Sequence, residues 1–248
     1  MRPQKTEPGR LPLVLLHEGL GSIAQWRHRG IDVPSELAVR TGRSVLVYER
    51  LGFGQSDPLP TQRRPDYLHL EAETILPQVL DKAGIDQAVL LGHSDGGSIA
   101  LIAAAAHPDR IAGIATEAAH VIVEPETLAG IRDAQAAFHQ PDSRLRAALT
   151  RYHGDKTDRT FSGWADVWQT PTFWRFNITP LLPQVECAVL ALQGEDDEYG
   201  TPKQLRLIAD TVGGPCKTWL IPDCRHVPHF QAHGSVLGRL AAFYAELP

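Results

Sequence analysis

Ser94 is the residue whose surroundings in the sequence point most directly to chemistry. It lies in a Gly-x-Ser-x-Gly pattern at residues 92–96, which follows a short apolar run at 88–91 and precedes an Ala-rich stretch at 98–106. A strand that turns sharply into a helix needs small residues on both sides of the turn, and such a turn exposes the serine hydroxyl beside free helix N–H groups. The pattern therefore predicts a nucleophilic serine. The alternative is a tight glycine turn whose serine only caps the helix.

A serine hydroxyl is a poor nucleophile at neutral pH and needs a general base, which an acid must orient. Of the eleven histidines, His226 is the best candidate for the base, because its loop directly follows a predicted strand that ends near Ile221. The acidic run 195–198 follows another predicted strand, which ends at Gln193. These groups can meet if the two strands are parallel, since ligand sites form at the carboxyl edge of parallel sheets.

Short apolar runs alternate with helical patterns and predict the elements that carry these residues. Such alternation is typical of βαβ units and of a mostly parallel sheet covered by helices, which is the α/β class. The predicted strands are 13–17, 44–48, 88–92, 111–116, 189–193 and 218–221. The predicted helices are 33–41, 67–83, 96–106, 202–212 and 235–246.

Residues 120–183 interrupt this alternation. The segment has no convincing strand pattern and several short helical patterns, and it holds three of the five tryptophans, Trp164, Trp168 and Trp174. Because structureless connections of this length are uncommon, we expect a helical cap insert. The tryptophans either form the core of the insert or face a substrate pocket. His120, at the start of the insert, is a further candidate for the pocket.

Several more pieces make the chain resemble the α/β-hydrolase fold superfamily over nearly its whole length. Besides the pattern around Ser94, the matching pieces are residues 15–22, 49–57, 194–197 and 224–226. The order of serine, acid and histidine along the chain is also the order found in this family. The resemblance implies a single α/β-hydrolase domain over residues 1–248, with a central sheet of about six strands flanked by helices.

Carried over residue by residue, the resemblance implies that Ser94 is the nucleophile and His226 its base. The Gly-x-x-Asp pattern of the family picks Asp197 from the acidic run as the residue that orients His226. The backbone N–H groups of Gly19 and Asp95 would form the oxyanion hole, which stabilises the negative charge that develops on the substrate oxygen. This chemistry needs no cofactor and no metal.

The chain departs from the family pattern after the first buried strand. The family usually has His-Gly there, whereas this chain has His17 followed by Glu18. A carboxylate beside an oxyanion hole opposes negative charge, so we expect Glu18 to point away or to be paired, and a substrate-contacting role is the open alternative. Only twelve residues precede Leu13, which favours six strands rather than eight. Residues 26–30 fit no clear element.

The composition disfavours several classes of partner. The formal net charge of −5 and the lack of a long basic run argue against nucleic acid or an anionic membrane surface as the main partner. The polar residues 1–12 and the lack of an apolar run of about 18 residues predict neither a signal peptide nor a transmembrane helix. Three widely spaced cysteines indicate reduced thiols in a cytoplasmic protein. The oligomeric state is left open.

Cofactor and metal motifs are weak in this sequence. No dinucleotide fingerprint or phosphate-binding loop follows a strand, so NAD and ATP are not implied. His226, His229 and His233 have the spacing of metal ligands. Because Pro228 interrupts any helix that would bring the three together, we expect no metal site.

These observations predict a serine hydrolase that acts on a small molecule, either a carboxylic ester or a related acyl compound such as a lactone or thioester, through an acyl-enzyme on Ser94. One alternative is a carbon–carbon bond hydrolase or lyase of the same superfamily, for which arginines of the insert would bind a second carboxylate. The other is a non-catalytic ligand-binding protein, because a fold alone does not establish activity.

Overall fold

A parallel sheet of six strands forms the centre of the protein. The computed structural model describes residues 9–248, so the prediction about the N-terminus rests partly on residues 1–8, which lie outside the described residues. The strands are β1 Leu13–Leu16, β2 Arg27–His28, β3 Ile31–Asp32, β4 Val45–Val47, β5 Ala88–His93, β6 Ile111–Glu117, β7 Ala188–Gly194 and β8 Cys216–Ile221. The central sheet has the order β4-β1-β5-β6-β7-β8, and all its pairs are parallel. The predicted sheet is thus confirmed.

Helices cover both faces of the sheet. They are α1 Val33–Thr41, α2 Tyr67–Leu70, α3 Leu76–Ala83, α4 Asp95–Ala106, α5 Pro125–Phe138, α6 Arg144–His153, α7 Thr157–Trp168, α8 Lys203–Thr211, α9 Pro228–Gln231 and α10 His233–Ala245. The predicted helix 67–83 contains a π-helical turn at Glu71–Ile75, where the N–H of Leu76 donates to the carbonyl of Glu71. Pro77 explains the turn, because its ring lacks an N–H and collides with the carbonyl of an ordinary α-helix.

The helix after β5 is buried along almost its whole length. Every residue of α4 up to Ala105 is buried, and the strand β5 before it is buried on both faces. Small alanine side chains let α4 approach the sheet closely. Because this helix is buried on all sides, it needs no polar face towards solvent. The site at the start of α4 therefore rests on a strand and a helix that are both buried.

Residues 26–30, which fitted no element in the sequence, lie in a small hairpin. A 3-10 turn at Ile23–Trp26 leads into β2, which pairs antiparallel with β3. The two residues between these strands, Arg29 and Gly30, have φ values of 48° and 85°. Such left-handed pairs are typical of tight two-residue hairpins. The loop after β1 thus projects over the carboxyl edge of the sheet.

Between β6 and β7 the chain forms α5, α6 and α7 with short 3-10 turns. Within the described residues, its extended backbone there is limited to one bridge between Ile122 and Asn177. Aromatic rings hold the segment together, since Phe138 and Phe161 stack with centroids 3.8 Å apart and both are buried. We call this segment, residues 120–183, the helical insert.

Candidate active site

The turn between β5 and α4 holds Ser94 in a strained conformation. Its φ of 54° and ψ of −116° lie where L-residues rarely occur. A Cβ on Gly92 would lie 2.1 Å from the carbonyl oxygen of Gly96, and a Cβ on Gly96 would lie 2.0 Å from the carbonyl oxygen of Leu16. Any side chain at either position would collide with the backbone, so both positions require glycine. The turn presents the Ser94 hydroxyl at the carboxyl edge of the sheet.

Three side chains predicted from the sequence meet at this edge. The His226 Nε2 atom lies 3.0 Å from the Ser94 Oγ, and its Nδ1 lies 2.7 Å from Asp197 Oδ1. A carboxylate can only accept, so Nδ1 carries the proton and donates it to Asp197. The Nε2 atom is then free to accept the Ser94 O–H. This is the geometry in which an imidazole removes a proton from a nucleophile.

Asp197 is held by the chain around it. The backbone N–H of Tyr199 donates to Asp197 Oδ1 at 2.9 Å, and the Gln193 amide donates to Oδ2 at 3.3 Å. Burial raises the pKa of this carboxyl, but the charge and hydrogen bond of His226 outweigh burial, so the pKa of Asp197 is lowered. Burial lowers the pKa of His226, but Asp197 again outweighs it, with help from Glu18 and Glu198, so the pKa of His226 is raised.

The loop that carries His226 is fixed by two buried histidines. The His93 Nε2–H donates to the His226 carbonyl at 2.7 Å. The His229 Nδ1–H donates to the Glu117 carboxylate, also at 2.7 Å, and both side chains are buried. Burial holds the pKa of His93 well below its usual value, which keeps its imidazole neutral and in a structural role.

Gly19 and Asp95 both line the cavity in front of Ser94. The N–H of Asp95 is one of the first helix N–H groups of α4, which have no partner within the helix. A Cβ on Gly19 would lie 2.5 Å from the Trp164 ring and 3.1 Å from Asp95 Oδ1, so the loop passes between them only as glycine. The arrangement places two backbone segments where an oxyanion could bind.

The Asp95 side chain is tied to the helical insert. The Tyr67 hydroxyl donates to Asp95 Oδ2 at 2.5 Å, and the Trp168 indole N–H donates to the Tyr67 hydroxyl at 2.9 Å. Arg50 lies 3.9 Å from the same carboxylate oxygen. The other oxygen, Oδ1, is buried and has no hydrogen-bond partner among the described residues. One oxygen of this carboxylate therefore has hydrogen-bonding partners, and the other has none among the described residues.

We call the cavity in front of Ser94 the reaction cavity; its volume is about 40 Å³. Among the residues proposed for the pocket, Glu18, His120, Trp164 and Trp168 line it. Trp174 does not, because it lies on the outside of the insert in the turn Phe173–Arg175 and is 54% exposed.

Glu18 lines the reaction cavity, which is where a substrate-contacting role, the alternative left open for this residue, would place it. Its backbone carbonyl accepts hydrogen bonds from Arg50 and His17, which fixes the loop. Burial raises the pKa of its carboxyl. A raised pKa favours the neutral acid, which reduces the repulsion that a carboxylate would exert on a nearby oxyanion.

Tyr199 is a wall residue that sequence reasoning missed. Its ring centroid lies 4.6 Å from that of His226, and its carbonyl accepts a hydrogen bond from His120 Nε2 at 3.0 Å. The feature of the sequence that could have identified Tyr199 is its position two residues after Asp197, in the loop that follows β7. The other missed wall residues are Leu20, Thr127 and Ile131.

The histidines with metal-like spacing have separate partners. His226 binds Ser94 and Asp197, His229 binds Glu117, and His233 lies 3.1 Å from Glu36. Within residues 9–248, no three His, Cys, Asp or Glu side chains form a group that could hold a metal ion. No helix in that range is long and apolar enough to span a membrane.

Known proteins resemble this chain in sequence and in fold. A family model described as alpha/beta hydrolase fold matches residues 12–147. The chain is 39% identical to a proline iminopeptidase from Lactobacillus delbrueckii subsp. lactis over 93 residues, which is 38% of this chain and 30% of that protein. It is 30% identical to the human serine hydrolase BPHL over 194 residues, which is 76% of this chain and 65% of that protein. The matches thus span less than two thirds of each relative.

Among solved structures, a 2-hydroxy-6-oxo-6-phenylhexa-2,4-dienoate hydrolase from Rhodococcus sp. strain RHA1 has the same fold. The TM-score is 0.77 at 16% identity, with 97% of this chain and 92% of that chain covered. This likeness concerns the fold, whereas the family match includes the Gly-x-Ser-x-Gly turn at Ser94. The chain therefore belongs to the α/β hydrolase fold family.

Proposed function

We propose that this α/β hydrolase is a serine hydrolase that cleaves a carboxylic ester or a related acyl compound, such as a lactone or thioester. The observation that carries the proposal is the continuous hydrogen-bonded path from Ser94 through His226 to Asp197, with Ser94 on a strained turn. Such a path turns a weak hydroxyl into a nucleophile at neutral pH.

In the proposed reaction, Ser94 Oγ forms a bond to the substrate carbonyl carbon while its proton passes to His226 Nε2. The backbone N–H groups of Gly19 and Asp95 stabilise the oxyanion, and Asp197 stabilises the imidazolium. The bond from carbon to the leaving oxygen then breaks, and His226 returns its proton to that oxygen. Water, activated by His226, releases the acid from the acyl-enzyme by the same steps in reverse order.

The walls of the reaction cavity bear on the choice of substrate. Its polar side chains include the carboxyl groups of Glu18 and Asp95, and its volume is about 40 Å³. A single water molecule needs about 10–15 Å³ on this measure. We therefore propose a short acyl group without its own negative charge, since the buried Asp95 carboxylate would repel an anionic acyl group.

The carbon–carbon bond alternative would be favoured by arginines of the insert that bind a second carboxylate. The arginines of the helical insert are all exposed, and none lines the reaction cavity: Arg132, Arg144, Arg146, Arg151, Arg159 and Arg175. The Rhodococcus enzyme is named for such a substrate, but at 16% identity it shares the fold alone. The ester proposal therefore fits the cavity better.

The test compares wild type with Ser94→Ala on 4-nitrophenyl acetate, together with labelling by a fluorophosphonate probe. Ser235→Ala is the matched control, because this serine is exposed and bonds only a helix carbonyl. We expect Ser94→Ala to lower kcat by about 10⁴-fold or more and to abolish labelling, while Ser235→Ala behaves as wild type. Equal hydrolysis by Ser94→Ala would overturn the proposal. Absence of both labelling and hydrolysis in wild type would favour a non-catalytic ligand-binding protein.

A further inference from the structure

A second cavity, which we call the hairpin cavity, lies beside the reaction cavity. Its volume is about 340 Å³. Most of its walls come from the loop after β1 and from the segment after His226, with His93 of β5 and Tyr152 of α6 completing them. They include Ser22, Gln25, Trp26, His229 and Phe230. Within residues 9–248, Glu18 is the one residue that lines both cavities.

The two cavities share walls along the backbone as well. Ser94 lines the reaction cavity, whereas the preceding residue, His93, lines the hairpin cavity. His226 lines the reaction cavity, whereas the following residue, Val227, lines the hairpin cavity. The backbone at residues 93–94 and 226–227 therefore separates the two cavities. A departing group that receives its proton from His226 lies next to this partition.

Three polar atoms in these walls lack a partner. The Ser22 hydroxyl, the Gln25 side-chain oxygen and the Trp26 indole N–H are buried atoms with no hydrogen-bond partner among the described residues. Ser22 and Trp26 are 0% and 2% exposed. Buried polar groups are almost always satisfied in folded proteins, by protein atoms, ordered water or a ligand. Together the three atoms offer both donors and acceptors within five residues of chain.

The sizes of the two cavities suit different parts of a substrate. The reaction cavity of about 40 Å³ holds only a short acyl group. The hairpin cavity, at about 340 Å³, falls in the range of small-molecule sites. Its walls are aromatic, with the rings of Trp26 and His229 4.9 Å apart and Phe230 next to His229. Arg27 at its wall is already paired with Asp32, so the walls suit a neutral, flat group.

We propose that the hairpin cavity binds the leaving group of the ester, and that this group is a neutral aromatic alcohol with hydrogen-bonding groups of its own. The inference rests on the proposed function. When the acyl bond breaks, the alcohol oxygen takes the proton held by His226, and the ring lies against Trp26 and Phe230. The polar groups of the alcohol pair with Ser22, Gln25 and the Trp26 indole.

The first experiment compares two acetates whose leaving alcohols have similar acidity, 4-carbamoylbenzyl acetate and benzyl acetate. We expect wild type to favour the carbamoyl ester by about fivefold or more in kcat/KM, which is the effect of one or two added hydrogen bonds. Trp26→Phe and Ser22→Ala each remove one partner and should bring this ratio towards one. Trp174→Phe, an exposed tryptophan outside both cavities, is the matched control and should keep the wild-type ratio.

A second readout does not depend on hydrolysis. The five tryptophans give separate indole N–H signals in a ¹⁵N spectrum, and Trp26→Phe identifies the signal of Trp26. Adding 4-carbamoylbenzyl alcohol to Ser94→Ala protein should shift this signal with saturation and leave that of Trp174 in place. The shift also supports the proposal if Ser22→Ala fails to fold.

The outcomes separate this inference from the proposed function. Ester hydrolysis with equal rates for both acetates, or a preference that survives Trp26→Phe and Ser22→Ala, would overturn the hairpin cavity as the leaving-group site. An unmoved Trp26 signal would show that water alone fills the cavity and would overturn it too. Binding of the alcohol without hydrolysis of any ester would overturn the leaving-group role and the proposed function together. Hydrolysis that survives Ser94→Ala would overturn the function only.

Discussion

Glu117 and His229 form a buried pair 2.7 Å apart that joins two parts of the candidate site. The Glu117 side chain is 0% exposed and also accepts from the backbone N–H of His229. Its own carbonyl accepts the backbone N–H of Ser94 at 2.8 Å. One residue at the end of β6 therefore anchors both the serine turn and the loop of His226, and the separation between Ser94 and His226 depends on it.

Replacing Glu117 by leucine removes this anchor without touching the reacting atoms. We expect Glu117→Leu to lower kcat for 4-nitrophenyl acetate by about 10- to 100-fold with KM within about twofold, because small displacements of a base are costly. Glu117→Gln keeps an acceptor and should recover most of the loss. Steady-state kinetics on folded protein provide the test, and a wild-type kcat in Glu117→Leu would show that the pair does not position His226.

Asp197→Asn tests the third member of the hydrogen-bonded path. Without the carboxylate, His226 loses both its fixed tautomer and the stabilisation of its imidazolium, so turnover should fall by on the order of 10²–10⁴ with the fold intact. Asp196→Asn is the control, because this neighbour is exposed. Parallel kinetics decide the assignment. A large loss of turnover in Asp196→Asn together with nearly normal turnover in Asp197→Asn would contradict the assignment.

The pH profile should show an acid limb set by His226. The imidazole must be neutral to accept a proton, so activity is lost as the pH falls through its pKa, which Asp197 raises above the usual value of 6.5. Asp197→Asn removes the main cause that raises the pKa of His226 and leaves burial, which lowers it, together with the smaller effects of Glu18 and Glu198, so the limb should move to lower pH. Residual kcat/KM measured against pH in both proteins provides the test. If the acid limb lies at the same pH in wild type and in Asp197→Asn, Asp197 does not set the pKa of His226.

Tyr67→Phe removes the hydroxyl that satisfies Asp95. The buried carboxylate then keeps only Arg50 at 3.9 Å, and the Trp168 indole loses its acceptor. We expect the free energy of unfolding to fall by about 1–3 kcal/mol. Tyr48→Phe is the matched control, because that buried hydroxyl has no partner among the described residues and its loss should cost little. Urea unfolding of both variants gives the comparison, and equal losses contradict the role given to Tyr67.

Gly96→Ala tests the space behind the serine turn. The new Cβ would lie 2.0 Å from the carbonyl oxygen of Leu16, a backbone atom that cannot move aside. We expect the free energy of unfolding to fall by at least about 3 kcal/mol. Gly234→Ala in α10 meets nothing within 4 Å and should raise stability by up to about 1 kcal/mol. Chemical denaturation measures both, and a stable Gly96→Ala protein rules out the steric argument.

The sheet and the strand-end positions of Ser94, Asp197 and His226 could be predicted because their signals are local. A buried strand is a short apolar run, and a sharp turn into a helix needs glycines that the sequence shows directly. In parallel sheets the carboxyl ends of all strands lie on one edge, so residues at those ends can meet whatever the strand order. The resemblance to a known family added the choice of Asp197 among four neighbouring acids.

Contacts between distant parts of the chain decided the rest. Which elements form, and which residues follow the strands, can be predicted from the sequence because hydrophobic period and turn chemistry are local properties. The position of Glu18 at the reaction cavity, the exposure of Trp174 and the existence of the hairpin cavity follow from the tertiary structure alone. His153 of α6, for example, accepts from Gly54 N–H and binds the Leu20 carbonyl, fixing a loop more than 130 residues away. Side-chain directions and cavities arise from such packing, which no local pattern encodes.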